Sequence, residues 1–447
     1  MIDTVLALLK EKKYAQVKQT VVEMHEVDVA EIFEETKDTE TMLRLFRLLP
    51  KETAAETFSY MEADVQQRII EAITDKELRY ILDDMYLDDY VDMIEEMPAN
   101  VVKRVMNNSS RENRSLINQY LKYPERSAGG LMTNEYVYFK RTLTVNQAFD
   151  VIRNTGVDKE TVYTCYVIDA QRHLEGTVSV LELLLAEPDA RIEDLMEDNP
   201  IYAHTLDDQE EVAKLFSRYD MIAMPVVDNE KRLVGIITID DAIDVLQEEN
   251  TEDFERMAGI TASGDESYMK TPVWILAKNR IVWLLILMLS AMITGALLEH
   301  YEAAIATVPL LVSFIPMLMD TGGNCGSQAS TIIIRGMALD EIEPRDFVKV
   351  WFKEIRVAML CALVLSVVNF IRIWIQYNDL GVAAVVSITL IATICIAKSL
   401  GCVLPMLAKK LNLDPAIMAS PMITTITDAC SVLVFFGIAV RILAERL

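Results

Sequence analysis

The chain has 447 residues and a formal net charge of −26, from 42 lysines and arginines against 68 aspartates and glutamates. Proteins that bind nucleic acid need a basic face, so this balance excludes a general nucleic-acid partner. Hydrophobic residues nevertheless make up 52% of the chain. Residues 1–270 hold 29 basic and 56 acidic residues, whereas residues 271–447 hold 13 and 12. We therefore predict a membrane protein with an acidic soluble head and an apolar second half.

Residues 1–130 combine helix-like apolar spacing with few glycines and a weak internal repeat. The sequence around Pro50 resembles that around Pro98, and DVAEIFEE at 28–35 resembles DYVDMIEE at 89–96. Such repeats predict an all-α domain of stacked helical hairpins, forming a short solenoid. The opening residues lack a basic start and a small-residue cleavage site, so we predict no signal peptide and expect the head in the cytosol.

A second repeat occupies residues 131–247. TLTVNQAFDVIR begins one copy and TLDDQEEVAKLF the other, each predicting an extended segment followed by an amphipathic helix. Each copy then has two strands, the second of which contains Gly176 or Gly235 and leads to a hydroxyl that can cap the next helix. Because the pattern occurs twice in register, it resembles a tandem pair of cystathionine-β-synthase (CBS) domains, α/β modules that sometimes bind adenine nucleotides.

Five apolar stretches in the second half are long enough, or nearly so, to cross a bilayer, which takes roughly 20 residues. Lysines and arginines cluster between the second and third stretches and between the fourth and fifth, and are absent from the loop after the first. Basic loops inside place the N-terminus in the cytosol and the C-terminus outside a cell membrane. The predicted architecture is therefore multidomain, with residues 248–272 as a linking or plug helix and 273–447 as a five-helix pore domain. The five stretches are Ile281–Leu298, Ala303–Met319, Val357–Ile375, Leu380–Leu407 and Pro415–Val440.

Two of these stretches carry polar motifs. The second runs into DTGGNCGSQ at 320–328. Three interpretations of this motif remain open: irregular backbone at membrane depth, a loop at the membrane edge, or glycines that allow close helix packing. In the fifth, Ser420, Thr424, Asp428 and Ser431 are spaced by four, four and three residues and so share one helical stripe. A carboxylate on such a stripe favours a water-lined ion path over an aspartate that only packs.

These features together resemble the MgtE family of magnesium channels. The resemblance rests on PMLMDTGGNCGSQAS at 316–330, DPAIMASPMITTITD at 414–428, the five apolar stretches, the CBS repeats and the acidic helical N-terminal region. It covers essentially the whole chain. It implies a homodimer with the ion path along its two-fold axis, and cytosolic domains that sense Mg²⁺ and close the pore.

The predicted pore site follows from the motifs and the resemblance. Mg²⁺ gives up its water reluctantly and usually keeps several waters around one or two carboxylates. Two symmetric Asp428 carboxylates in a dimer would hold a hydrated ion without trapping it. Asp320, Asn324, Thr424 and Ser420 are predicted to complete or support this site.

Two acid-rich segments of the head, residues 83–96 and 240–255, contain no basic residue. Solvated helix faces would explain them, but like charges four residues apart destabilise a helix by about 0.2–0.5 kcal/mol per pair. Repeated like charges therefore favour a bound cation, and we predict that these segments sense Mg²⁺. The predicted regulatory metal ligands are Asp88, Asp92, Asp208, Glu210, Asp220, Asp241, Asp244, Glu249, Glu252 and Asp253.

The CBS resemblance also implies a site for an adenine nucleotide such as ATP. Tyr166, Met221 and Pro225 are the candidates for an apolar adenine cleft, and Thr238 and Asp240 for the ribose. The alternative is a cleft that serves only for packing.

Two other classes of function stay open. A secondary transporter for Mn²⁺, Co²⁺ or Ni²⁺ would favour imidazole or thiolate ligands. No histidine lies inside a predicted span, and only Cys325 and Cys430 adjoin the polar motifs. A membrane-bound enzyme would need a nucleophile triad, a histidine-rich cluster or a phosphate loop, none of which the sequence contains, so we expect no enzymatic activity. No CxxC pair occurs among the six cysteines, so neither a disulfide framework nor a zinc site is predicted.

Overall fold

A computed structural model of the chain describes residues 1–261, 268–269, 271–418 and 420–443, apart from the side chains of residues 52, 158 and 420. The chain divides into two compact units, Met1–Leu246 and Gln247–Leu447.

The first part of the N-terminal unit is an array of short helices. From α2 to α10 the helices begin 12 or 13 residues apart, and Pro50 and Pro98 precede α5 and α9, four helices from one another. Most of these helices pack against the helix two places further on, so their apolar faces form one continuous core. The all-α domain is confirmed, but its repeating unit is one short helix with the turn that follows it, about 12 residues in all, instead of the predicted hairpin. The helices are α1 Ile2–Lys10, α2 Tyr14–Val21, α3 Glu26–Glu35, α4 Thr39–Phe46, α5 Lys51–Ser59, α6 Ala63–Ala72, α7 Asp75–Asp84, α8 Leu87–Glu96, α9 Ala99–Asn108, α10 Arg111–Tyr120 and α11 Ala128–Leu131.

The tandem CBS pair is confirmed as two small sheets with helices, in the orders β1-β2-β3-β4 and β5-β6-β7. In each sheet the first two strands are parallel and the rest antiparallel. The hairpin turns match, since Asp169 and Asp228 each accept two backbone N–H groups. The elements are β1 Tyr136–Phe139, α12 Val145–Thr155, β2 Thr161–Ile168, β3 Leu174–Ser179, α13 Val180–Leu185, β4 Glu197–Asp198, β5 Ala203–His204, α14 Gln209–Tyr219, β6 Ala223–Val227, β7 Leu233–Thr238 and α15 Ile239–Met257.

Long apolar helices make up most of the second unit. Among the described residues, four segments are long and apolar enough to cross a membrane: Val273–His300, Pro344–Tyr377, Leu380–Lys410 and Pro415–Ile442. The helices of this unit after α15 are α16 Val273–His300, α17 Glu302–Thr307, α18 Ile315–Ala338, α19 Phe347–Tyr377, α20 Leu380–Lys410 and α21 Ser420–Ile442.

The second predicted span, Ala303–Met319, is not one continuous helix. It is divided among α17, the 3₁₀ turn Pro309–Phe314 and the start of α18, so the predicted count of five spans is not confirmed. The residues 320–328 that were open to irregular backbone lie inside α18 and are α-helical. Their polarity keeps α18 from qualifying as an apolar span although it has 24 residues.

Candidate functional site

Glycines bring α18 into close contact with α20 and α21. A Cβ on Gly322 would lie 2.8 Å from the Cγ2 atoms of both Thr393 and Thr427, and one on Gly326 would lie 2.5 Å from Ile423 Cγ2. Any larger side chain would force the helices apart. Of the three possibilities that the sequence left open for this motif, the structure favours close helix packing.

The polar stripe of α21 faces this contact. A Cβ on Gly323 would overlap Thr424, and Ser431 is buried and donates a hydrogen bond to Thr427 O over 2.7 Å. Asp428 is half-buried on the same helix, and its carboxylate lies close enough to Asp320 of α18 to feel that charge. The structure therefore brings two of the predicted pore carboxylates together. The Ser420 side chain lies outside the described residues.

Asp320 and Asn324 are exposed in the single chain. They lie one helical turn apart on α18, and Gln328 and Arg335 continue the exposed polar face along the same helix. Asp320, at the start of this face, lies within electrostatic range of Asp428 on the α21 stripe. A row of polar side chains on a helix of an apolar unit needs water, an ion or protein groups to satisfy it.

In the N-terminal unit, carboxylates of α8 and of the start of α15 form one cluster. Asp88, Asp89 and Asp241 are half-buried, whereas Asp92 and Asp240 are accessible to solvent. Part of Asp92 remains accessible to solvent, but desolvation by the protein packed around the rest of it, reinforced by the Asp241 charge, raises its pKa to about 7. The same two causes raise the pKa of Asp88 well above its usual value. Desolvation also raises the pKa values of Asp89 and Asp241 to about 6 each.

Two members of this cluster, Glu135 and Glu160, were missed by the sequence analysis. Desolvation and the charges of Asp240 and Asp241 raise the pKa of Glu160 to about 8, and desolvation raises the pKa of Glu135 to about 7. Glu160 Oε2 is buried and has no hydrogen-bond partner among the described residues. Each of the two glutamates is distant in sequence from α8 and α15, so no charge run in the sequence could have indicated them.

Three other predicted regulatory ligands have local roles around α14. Asp208 caps this helix by accepting a hydrogen bond from the backbone N–H of Glu210 over 2.9 Å. The Glu210 carboxylate forms an ion pair with Lys214 at 2.8 Å. Asp220 ends the helix in a left-handed conformation, with φ of 51°. These roles are local to α14, so the structure does not bring the three residues into the acidic cluster.

The remaining predicted regulatory ligands lie along α15. Asp244 has its pKa raised by desolvation and by Asp240. In the second unit the Glu252 carboxylate pairs with Arg256, whose guanidinium also binds Asp414 in the loop before α21. Glu249 and Asp253 lie on the same helix and make interactions of their own.

The predicted nucleotide residues lie in different parts of the CBS pair. Tyr166 is fully buried on β2, its hydroxyl has no hydrogen-bond partner among the described residues, and β2 contacts β6, which carries Pro225. Met221 lies just before β6, at the end of α14. The Thr238 hydroxyl donates to the Asp241 carboxylate over 2.8 Å at the start of α15. Asp240 acts electrostatically on Tyr60 and Asp89 of the helical array.

A ready-made metal cage is not part of either unit. Among the residues that the structure describes, no three His, Cys, Asp or Glu side chains are arranged to hold a metal ion.

The helical array, the CBS pair and the long apolar helices with a polar, carboxylate-bearing contact are the features of a multi-pass membrane transport protein with a large N-terminal soluble region. Family models match in three places: MgtE, described as a divalent cation transporter, at residues 315–438; the MgtE intracellular N domain at 24–126; and the CBS domain at 192–248. The magnesium transporter MgtE of Thermus thermophilus is 34% identical over 441 residues, 98% of this chain and 97% of that protein. The chain belongs to the MgtE family.

Other relatives agree. The magnesium transporter MgtE of Bacillus subtilis is 31% identical over 435 residues, covering 97% of this chain and 96% of that protein. A crystal structure described as the cytosolic domain of the Mg²⁺ channel MgtE in complex with ATP matches with a TM-score of 0.52 and 33% identity. That match covers 55% of this chain and 100% of the solved domain.

Proposed function

We propose that this protein is a Mg²⁺-selective channel of the cell membrane, with a cytosolic head that senses Mg²⁺ and closes the pore. The observation that carries the proposal is the approach of Asp320 and Asp428 on two helices that glycines hold in contact. Full-length relatives named magnesium transporters support Mg²⁺ as the ion.

The ion path is formed by α18 and α21. At 24 residues α18 is about 36 Å long, enough to cross the roughly 30 Å hydrocarbon core, and it supplies the fifth crossing. Five crossings with basic inner loops place the N-terminus in the cytosol and the C-terminus outside. A hydrated Mg²⁺ ion binds to Asp428 and Asp320 through its waters and therefore leaves readily.

The channel works as a homodimer. Asp320 and Asn324 are exposed in the single chain, although they lie on a helix of the apolar unit. The helix α16 is also hardly covered by the rest of the chain, since only 6% of its apolar segment is buried. A second copy on the two-fold axis covers the polar face of α18 and provides a second Asp428.

The Mg²⁺ sensor is the cluster of Asp88, Asp89, Asp92, Asp241 and Glu160. Desolvation raises the pKa values of these carboxylates, and the charges of neighbouring carboxylates raise them further. A bound divalent cation relieves the repulsion between these charges. By linkage, a closed state that binds Mg²⁺ more tightly becomes dominant as cytosolic Mg²⁺ rises. Cation binding therefore shuts the pore when Mg²⁺ is plentiful.

ATP is a further ligand of the CBS pair. The unpartnered hydroxyl of buried Tyr166 supports a cleft for the base, near Pro225 on the neighbouring strand. Thr238 precedes α15 and its hydroxyl already donates to the Asp241 carboxylate, so the ribose contact falls to Asp240. The relative whose cytosolic domain was solved with ATP supports this ligand.

Current recording from the purified full-length protein in planar bilayers tests the proposal. We expect a Mg²⁺ current that falls when Mg²⁺ is added on the side of the head and is larger than the current with Mn²⁺ or Co²⁺. Flux without a measurable current, dependent on a counter-ion gradient, would instead identify a secondary transporter. Equal currents with Mg²⁺, Mn²⁺ and Co²⁺ would contradict the proposed selectivity for Mg²⁺.

A further inference from the structure

A buried ion pair joins two apolar helices at a distance from the polar motifs. Lys398 of α20 and Glu354 of α19 place Nζ and Oε2 3.7 Å apart, and the two residues are 4% and 8% exposed. That distance is too long for a hydrogen bond, and Glu354 Oε2 has no hydrogen-bond partner among the described residues. Burying charges is costly, and charged side chains inside membrane helices generally serve a function.

The pair lies close to the segment of α20 that contacts α18. Beside it, Trp351 Nε1–H of α19 donates to Ser399 Oγ of α20 over 3.2 Å, so α19 binds α20 at two consecutive residues. Within the same stretch of α20, a Cβ on Gly401 would overlap the carbonyl oxygen of Gly326 on α18. A shift of α20 along its axis would therefore move α18 as well.

We propose that the Lys398–Glu354 ion pair positions the ion path by fixing the register of α20 against α19. Through the contact of Gly401 with Gly326, this register sets where α18 holds Asn324, two residues before Gly326. Apolar side chains could join α19 and α20 at a smaller desolvation cost, but they can slide past one another, whereas an ion pair favours one register. The inference rests on the proposed transport of Mg²⁺ along α18.

Neutralisation tests the pair in the full-length protein, reconstituted in vesicles that contain a Mg²⁺-sensitive dye. The variants are Glu354→Gln, Lys398→Met and the two combined, with Lys410→Met as the matched control at an exposed position of the same helix. The measurements are the Mg²⁺ influx rate, the half-saturating Mg²⁺ concentration and the melting temperature.

Each single variant should melt earlier and lose about tenfold in influx rate, because it leaves one buried charge unpaired. The neutral double variant should regain the melting temperature but stay about fivefold slow, with a changed half-saturating concentration. The Lys410→Met control should behave as wild type.

A double variant with wild-type influx and half-saturation would overturn the proposal, since the pair would then only hold the helices together. Should either single variant fail to assemble, Glu354→Asp gives the same decision, because it keeps the charge and shortens its reach. We then expect slower influx with a smaller loss of melting temperature than in Glu354→Gln, and wild-type influx would again overturn the positioning role. If the wild-type protein transports no Mg²⁺, the proposed function is rejected instead. The influx rates of the variants and the wild type are then compared for the divalent ion that the wild type does transport.

Discussion

The residue on which the proposed ion path depends most is Asp428. It is the charged residue on the polar stripe of α21, and Asp320 is the neighbouring carboxylate on α18. In the proposed path, the negative charge of these groups holds a hydrated divalent cation, because their oxygens reach it through water. The shape of the side chain contributes less to that attraction than its charge does.

Replacing Asp428 by Asn should therefore lower Mg²⁺ influx by about tenfold or more, while the protein still assembles and melts as wild type. Influx into dye-loaded vesicles measures the first effect, and size-exclusion chromatography measures assembly. The exposed Asp340, at a left-handed position after α18 that Asn also tolerates, provides the control variant Asp340→Asn. Influx at the wild-type rate in Asp428→Asn would contradict the pore assignment.

A second residue-scale prediction concerns the glycines of α18. The variant Gly326→Ala places a Cβ 2.5 Å from Ile423 Cγ2, so α18 and α21 must separate. We expect a lower melting temperature and slower Mg²⁺ influx. The control is Gly437→Ala on α21, where no heavy atom lies within 4 Å of the new Cβ. Since alanine favours a helix over glycine by about 1 kcal/mol, this control should melt at or above the wild-type temperature, and equal melting of the two variants would contradict the packing argument.

At the scale of the helix, the sequence predicts what periodicity and local signals control. Apolar stretches at 357–375 and 380–407 fall inside α19 and α20, and the repeated strand pattern predicts the CBS sheets. The sequence fails at α18, because glycines and polar side chains lower local helix propensity while packing against α20 and α21 overrides it. Glu135 and Glu160 could not be predicted either, because only the folded chain brings them to α8 and α15.

The helix α15 is the element through which the proposed sensor would act. It begins with the acidic residues of the cluster and continues to Arg256, which binds Asp414 before α21. Neutralising Asp241, Asp244 and Glu249 together should leave Mg²⁺ conduction intact and remove inhibition by Mg²⁺ added on the side of the head. Currents recorded across a Mg²⁺ titration measure both effects. If the inhibition is retained, these carboxylates lie on solvated helix faces and do not sense Mg²⁺.

At the scale of the whole molecule, residues 1–270 carry a net charge of −27, which would be −54 in the proposed dimer. Binding of a cation by the proposed sensor would have to relieve that repulsion. At an effective dielectric constant of 20, two unit charges 4 Å apart interact by about 4 kcal/mol, and less where salt screens them. Protons can relieve this repulsion as well as Mg²⁺ can. Mg²⁺ and pH should therefore act on the same cluster.

The direction of the pH effect follows from the raised pKa values. Folding raises the pKa of Asp89 and Asp241 to about 6, of Asp92 to about 7 and of Glu160 to about 8. For a carboxylate whose pKa is raised by folding, stability is greatest at low pH and is lost as pH rises through the folded value. Without divalent cations, the protein should therefore melt progressively earlier between about pH 5 and pH 8.5.

Saturating Mg²⁺ should flatten this pH dependence, because the bound cation replaces the protons that the cluster loses. Limited proteolysis of the full-length protein at pH 8 should likewise change between chelator and saturating Mg²⁺, with slower cleavage when the cation is bound. The variant Asp92→Asn should weaken both effects, whereas Asp64→Asn, on the exposed face of α6, should leave them as in wild type. If the melting curve and the cleavage pattern are the same with chelator and with Mg²⁺ at pH 8, the cluster binds no cation and the sensor assignment is wrong.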